Sequence, residues 1–140
     1  MMGKPSGQHT VMVVDDSATV RAITRRFLER AGFQVVLAKD GMEAVDMLEA
    51  RGIRPDAMLL DVEMPRMDGF EVVRLVRAMP AFGHLPILMV TSDMAAEHRA
   101  RAMRLGATRY IGKPYEEAAL LEEIKKCIVE ARRSVTVATL

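Results

Sequence analysis

Tryptophan is absent from this chain, and only four Phe and two Tyr are present. A core with so few rings must be largely aliphatic, and twelve Met supply flexible side chains that fill its gaps. Cysteine is nearly absent too. The single Cys127 excludes an internal disulfide and fits a reducing, cytoplasmic setting. No apolar run approaches the ~20 residues of a membrane span, and no signal sequence is recognisable. Charge of one sign is likewise missing: the formal net charge is +1, which offers no general attraction for nucleic acid or anionic lipid. Any partner must therefore be recognised locally. There is no internal repeat and no low-complexity segment, and 140 residues fit one ordinary domain.

What is present is a regular alternation. Residues 1–10 are polar, with Gly3, Pro5, Ser6 and Gly7, and read as a flexible leader. Val11 to Val14 is a short buried-strand pattern that ends at Asp15-Asp16-Ser17. Val20, Ile23, Thr24, Phe27, Leu28 and Ala31 then recur at helical spacing until Gly32 stops the helix. Gln34 to Ala38 predicts a second strand. Asp40-Gly41 turns the chain into a helix over about Met42 to Arg51, with Ala44, Val45 and Leu48 inward. Ala57 to Leu60 is too short for a helix and uninterrupted enough for a strand buried on both faces, so Asp61 emerges at its carboxyl end.

Asp68-Gly69 opens a third helix with Val72, Val73, Val76 and Met79 on one side, and Pro80 closes it. Ile87 to Val90 is a fourth strand finishing on Thr91-Ser92. The helix after it, about Ala95 to Leu105, has only Ala96, Ala100 and Met103 to bury, so it is weakly anchored. Tyr110-Ile111 is a very short fifth strand before Gly112-Lys113-Pro114. A long amphipathic helix follows, using Leu120, Leu121, Ile124, Cys127 and Ile128, and residues 132–140 are expected to form a flexible tail. Five strand-helix units imply an α/β domain over residues 11–131, a doubly wound parallel sheet with helices on both faces.

Asp15, Asp16, Asp61, Thr91 and Lys113 each stand where a strand runs out, along one edge of that sheet. The crevice beyond the carboxyl ends of such strands is where open α/β sheets bind ligands. Two carboxylates about 5 Å apart repel by roughly 3 kcal/mol at an effective dielectric near 20, so the acidic set favours a cation. All-oxygen ligation suits Mg2+. With Mg2+ and the Lys113 ammonium neutralising charge and the Thr91 hydroxyl donating, Asp61 has the surroundings of a nucleophile toward a phosphoryl group. Phosphoryl transfer asks mostly for positioning and charge stabilisation, which a small domain can supply.

These features together resemble the receiver domains of two-component signalling, the CheY-like response-regulator family. The matching segments are Asp15-Asp16-Ser17, Leu59-Leu60-Asp61, Met64-Pro65, Asp68-Gly69, Val90-Thr91-Ser92 and Lys113-Pro114, in the family's order, over about Val11 to Ala131. The resemblance implies a flavodoxin-like five-stranded sheet in the order 2-1-3-4-5. It implies that Asp61 is the phosphoacceptor, that Asp15 and Asp16 form the acidic pocket, and that Asp16, Asp61 and the main-chain carbonyl of Glu63 hold Mg2+. It also implies that Thr91 and Lys113 contact the phosphoryl group and that Pro114 follows a cis peptide. Thr91 and Tyr110 would act as a switch altering helix 4, strand 5 and helix 5, where a downstream protein would bind. The resemblance also implies that Glu63 and Asp93 occupy the places that in this family tune phosphoryl lifetime. The donor would be a histidine kinase or phosphotransfer domain, and the chain would be a signalling domain that switches conformation or acts as a phosphate sink, rather than an enzyme. Phe27-Leu28-Glu29-Arg30, the run Glu63 to Val72 and Gly112-Lys113-Pro114-Tyr115 are further similar to the carboxyl-terminal receiver of hybrid chemotaxis-type histidine kinases. His9, His84 and His98 read as solvated surface residues.

Three other readings compete. A phosphohydrolase of the haloacid dehalogenase type uses a similar residue set, but its nucleophile follows the first strand in an Asp-x-Asp pattern and it needs a cap domain. A DNA-binding regulator would need an output module, whereas one helix and a tail follow Lys113. A phosphorylation-independent interaction module would leave the acidic pocket inert.

Overall fold

Short runs of Val, Leu, Ile and Met form the strands, and the segments between them carry a three-to-four-residue apolar period and wind into helices. The computed structural model describes residues 9–139, with side chains described as far as residue 133. In chain order the elements are β1 (Thr10–Val14), α1 (Ala18–Arg30), β2 (Gln34–Ala38), α2 (Gly41–Glu49), β3 (Ala57–Asp61) and α3 (Gly69–Arg77). A 3-10 turn at Pro80–Phe82 precedes β4 (Ile87–Thr91), α4 (Ala96–Leu105), β5 (Arg109–Gly112) and α5 (Glu117–Thr139). All strand pairs are parallel, in the order β2-β1-β3-β4-β5.

The central strands are buried on both faces, which is why they read as unbroken apolar runs. Alternate residues feed two cores. Met12, Val14, Met58, Leu60, Ile87 and Met89 pack with Leu48 of α2, with Val72, Val73 and Val76 of α3 and with Ala102 of α4. Val11, Val13, Leu59, Leu88 and Val90 face Phe27 and Leu28 of α1 and Leu120, Ile124, Cys127 and Ile128 of α5. The sheet thus places every strand-to-helix turn on one edge, and the strand order brings the ends of β1, β3 and β4 side by side there.

Several expectations from sequence need correction. In α1 the buried stripe is Thr24, Phe27 and Leu28, while Val20 and Ile23 are 36% and 51% exposed. The first turn of α1 stands beside the strand ends, where Val20 borders a small cavity at Asp61. In α4, Ala96, Ala100 and Met103 are exposed and Ala102 is buried instead. Long polar side chains do the covering there: the Arg101 guanidinium lies 4.4 Å over the Phe70 ring, and the His98 ring is 6.3 Å from it.

His9 is buried rather than solvated. Its carbonyl accepts the Gln34 N–H (2.9 Å) and its Nε2 lies 3.2 Å from Arg132 Nη1, so His9 and Thr10, both within the expected leader, are part of the packed domain. Residues 1–8 of that leader lie outside the described residues. At the other end α5 continues as helix to Thr139, across most of the expected flexible tail, and Leu140 lies outside the described residues.

Candidate functional site at the carboxyl edge of the sheet

Asp15 follows the last residue of β1 and is fixed from three directions. Its N–H donates to the Ala38 carbonyl (3.2 Å), its Oδ1 accepts the Ser17 N–H (2.8 Å), and its own carbonyl accepts from the Arg21 guanidinium (2.6 Å). Ser17 then caps α1 by accepting the Val20 N–H. Asp15 is consequently buried while its neighbour Asp16 is exposed.

Asp61 is the last residue of β3, paired in register with Val90, and is 6% exposed. The chain leaving it is held close. Val62 N–H donates to the Val90 carbonyl (3.0 Å), and Gly69 N–H returns to the Val62 carbonyl (2.9 Å). A Cβ on Gly69 would lie 2.7 Å from the Asp61 carbonyl oxygen and 2.9 Å from Val62 Cα, so only glycine permits this approach. Between them Arg66 takes a left-handed φ of 67°, and Asp68 caps α3 through the Glu71 N–H (3.0 Å).

Lys113 comes from the end of β5. Its N–H donates to the Thr91 carbonyl (2.7 Å), its Nζ donates to Asp61 Oδ1 (3.1 Å), and the Lys113–Pro114 peptide is cis. One carboxylate oxygen from each of Asp15, Asp16 and Asp61 lies within 4.8 Å of the others. Burial, and next the charge of Asp15, push the Asp61 carboxyl up to about 6 against the pull of Lys113. Burial raises Asp15 as well. Burial pulls the Lys113 ammonium down, but its hydrogen bond to Asp61 and the surrounding carboxylates leave it raised overall. Three crowded carboxylates and one ammonium carry excess negative charge, and their hard oxygens fit a cation such as Mg2+.

Thr91 ends β4 with its side chain fully buried. Its hydroxyl donates to Glu63 Oε2 (2.5 Å) and accepts the Asp93 N–H (2.9 Å). Glu63 Oε1 also accepts from the Ser92 N–H (3.1 Å) and hydroxyl (3.2 Å). Tyr110 points inward and donates to the Asp93 carbonyl (3.0 Å), with Phe70 at 6.4 Å. The Asp93 carboxylate accepts the Ala95 N–H (3.0 Å) and lies 2.9 Å from His98 Nδ1.

The structure thus brings Asp15, Asp16, Asp61 and Lys113 into one pocket. It gathers Thr91, Glu63, Asp93 and Tyr110 into a second group joined to the first through the Thr91 carbonyl. Arg21 was not singled out from sequence, Ser92 entered only as part of a motif, and His98 was read as a solvated surface residue. Ser92 lies inside a recognised motif and could have been questioned there, whereas Arg21 and His98 look like any charged helix face.

A five-stranded parallel sheet with an acidic pocket and a lysine at its 2-1-3-4-5 carboxyl edge defines a CheY-like phosphoacceptor class. The family model for the response regulator receiver domain matches residues 11–125. The chain is 39% identical over 120 residues to the sensor histidine kinase CheAY of Helicobacter pylori, covering 86% of this chain and 15% of that protein. It is 42% identical over 115 residues to the response regulator MprA of Mycobacterium avium, covering 82% of this chain and 49% of that one. The chemotaxis protein CheY4 of Vibrio cholerae superposes with a TM-score of 0.79 at 35% identity, covering 86% of this chain and 98% of that structure.

The chain belongs to the response regulator receiver domain family, a signalling family of two-component systems, and nothing in these likenesses favours a phosphohydrolase or an inert interaction module. It spans half or less of the two relatives matched by sequence. Among the described residues no helix is long and apolar enough to cross a membrane.

Proposed function

We propose that Asp61 takes a phosphoryl group from a phosphohistidine. An Asp61 carboxylate oxygen attacks phosphorus, the N–P bond breaks, and its electron pair returns to the imidazole nitrogen, which takes up a proton. The observation that carries this reading is the buried Asp61 carboxylate held at 3.1 Å by Lys113 beside two further aspartates. Lys113 orients one oxygen of Asp61 and offers a positive charge to the transferring group. The Asp16 and Asp61 side chains, with the Glu63 main-chain carbonyl, would hold Mg2+ next to Asp15. When bound, Mg2+ supplies charge neutralisation at the phosphoryl oxygens.

The cavity beside Asp61 is about 20 Å3. Small-molecule sites occupy roughly 300–1,000 Å3, so a donor presented on a protein surface fits this edge better than an enclosed metabolite. In this reading the histidine belongs to a kinase or phosphotransfer domain, as membership of the receiver family supports. The likeness to the sensor histidine kinase CheAY supports a donor within a longer parent chain, which we read as one of chemotaxis type. In this reading the domain works in the cytoplasm, where the buried thiol of Cys127 stays reduced. Thr91 and Tyr110 relay the phosphorylated state to α4, β5 and α5, where a downstream protein binds, and Glu63 and Asp93 set how long it lasts.

Incubation with Mg2+ and acetyl phosphate should add one phosphoryl group by intact mass, and Asp61→Asn should abolish the addition. Undiminished labelling of the variant would overturn the assignment.

A further inference from the structure

Glu63 stands on the exposed loop after β3, yet both of its carboxylate oxygens are engaged. Oε2 accepts a hydrogen bond from the Thr91 hydroxyl, and Oε1 accepts from the Ser92 N–H and hydroxyl. All three donors lie at the junction between β4 and α4, 28 or 29 residues away in sequence. The grip extends one step further. Asp93 donates its N–H to Thr91 Oγ1 and offers its carbonyl to Tyr110, so fixing Thr91 also fixes the group that holds Tyr110 inward.

A threonine hydroxyl has a single proton and donates to one acceptor at a time. The proton that a phosphoryl oxygen on Asp61 would need from Thr91 is already given to a carboxylate, the kind of acceptor that makes the stronger hydrogen bonds. Resting on the reading of Asp61 as phosphoacceptor, we infer that Glu63 is a built-in competitor for the phosphoryl group. Its carboxylate holds Thr91 and the β4–α4 loop closed in the unphosphorylated domain and must release the hydroxyl before Thr91 can turn to the phosphoryl group. Phosphorylation then exchanges one anion for another on the same donor. Glu63 keeps its two contacts to Ser92 and remains poised to retake Thr91 when the phosphoryl group leaves.

Glu63 is a positioning residue in this scheme, since it acts through Thr91. Its side chain can be removed without touching the main-chain carbonyl that would face Mg2+. The test uses the full chain with Mg2+ and acetyl phosphate, reading initial phosphoryl incorporation by intact mass. Amide hydrogen exchange at Ser92 to Ala95 is read before any phosphodonor is added. Hydrogen bonds to charged groups contribute about 1.5–3 kcal/mol, so Glu63→Ala should accelerate loop exchange by at least ~10-fold. Its labelling should rise several-fold. Glu63→Gln keeps an acceptor oxygen without the charge and should fall between wild type and Glu63→Ala on both measurements.

Removing a negative charge could by itself ease the approach of acetyl phosphate, and a second cycle separates that effect. In a Thr91→Ala background the competition has no proton to act on, so Glu63→Ala should no longer change labelling. A labelling gain that persists undiminished in that background would overturn the proposal, as would faster loop exchange with unchanged labelling. Persistent labelling of Asp61→Asn would instead overturn the phosphoacceptor reading, leaving the loop-exchange result as the measure of the Glu63 grip.

Discussion

Helices α3 and α4 leave adjacent strands at the same edge and are built to very different tolerances. The first is capped by Asp68 and buries Phe70, Val72, Val73 and Val76. The second has no side-chain cap at Ala95, buries Ala102 alone and leaves Met103 45% exposed. Each fully buried Val or Phe contributes roughly 1.5–3 kcal/mol, so α3 is held several-fold more firmly. The far end of α4 is nonetheless tethered: Gly106 closes it at a φ of 109°, and Arg77 of α3 donates to the Gly106 carbonyl (2.9 Å). The edge thus has a wall behind Asp61 anchored by apolar packing and a wall behind Thr91 whose start is held by polar contacts, from Asp93 to the Ala95 N–H and to His98. Elements with little apolar burial open locally at small cost, and switching elements are drawn from them.

Phe70 is where the two walls meet, and removing it should produce the largest effect. It is buried on α3, with its ring near Tyr110 and His98 and under Arg101. Phe70→Ala should cost about 3–5 kcal/mol, measured by urea unfolding. Hydrogen exchange should accelerate more in α4 than in the later turns of α3, because α4 has little other anchorage. Equal acceleration in both helices would erase the contrast between them.

A smaller effect should follow the charge of Asp61 on the apolar wall. The folded carboxyl titrates near 6 against an ordinary 3.8, so between those values the folded protein retains a proton that the unfolded chain has released. Stability therefore falls as pH rises through that window. The interval corresponds to about 3 kcal/mol at ~1.36 kcal/mol per pH unit. Asp61→Asn removes this cost but weakens the Lys113 contact, so a net gain of about 1–2 kcal/mol is expected at pH 7.5 without metal. The gain should vanish near pH 3, where the wild-type carboxyl is neutral as well, and shrink when Mg2+ is added. Thermal melts across pH check this. A lower Tm for the variant at pH 7.5 would mean that the Lys113 pair outweighs the crowding.

The fold was legible because parallel strands buried on both faces leave unbroken apolar runs, as Met58-Leu59-Leu60 and Ile87-Leu88-Met89 do. The pocket residues were legible because each ends such a run. The pairing of Glu63 with Thr91 was not, since it joins positions 28 residues apart and leaves no local pattern. The inward face of α4 was misread for another reason: Arg101 and His98 cover Phe70 with a flat guanidinium and a flat ring while looking hydrophilic in sequence. His9 was misassigned because the groups it meets, Gln34 and Arg132, are remote in sequence.

The smallest expected effect bears most directly on the wall behind Thr91. Ala95 has the extended ψ of an N-cap, 136°, but no side-chain acceptor for the free N–H groups of the first turn of α4. A serine there should accept one of them and stabilise the helix start by about 0.5–1 kcal/mol. In a helix that opens locally, ahead of the global transition, the gain should appear as roughly 2- to 5-fold slower exchange in its first turn, with little change in Tm. Exchange in α3 should stay the same. If Ala95→Ser instead raised Tm fully and left local exchange unchanged, α4 would be opening only with the whole domain and its uncapped end would not be a separate moving part. If the first turn slows as expected, phosphorylation should produce a smaller exchange change at α4 in the variant than in wild type, since part of the motion has been removed in advance.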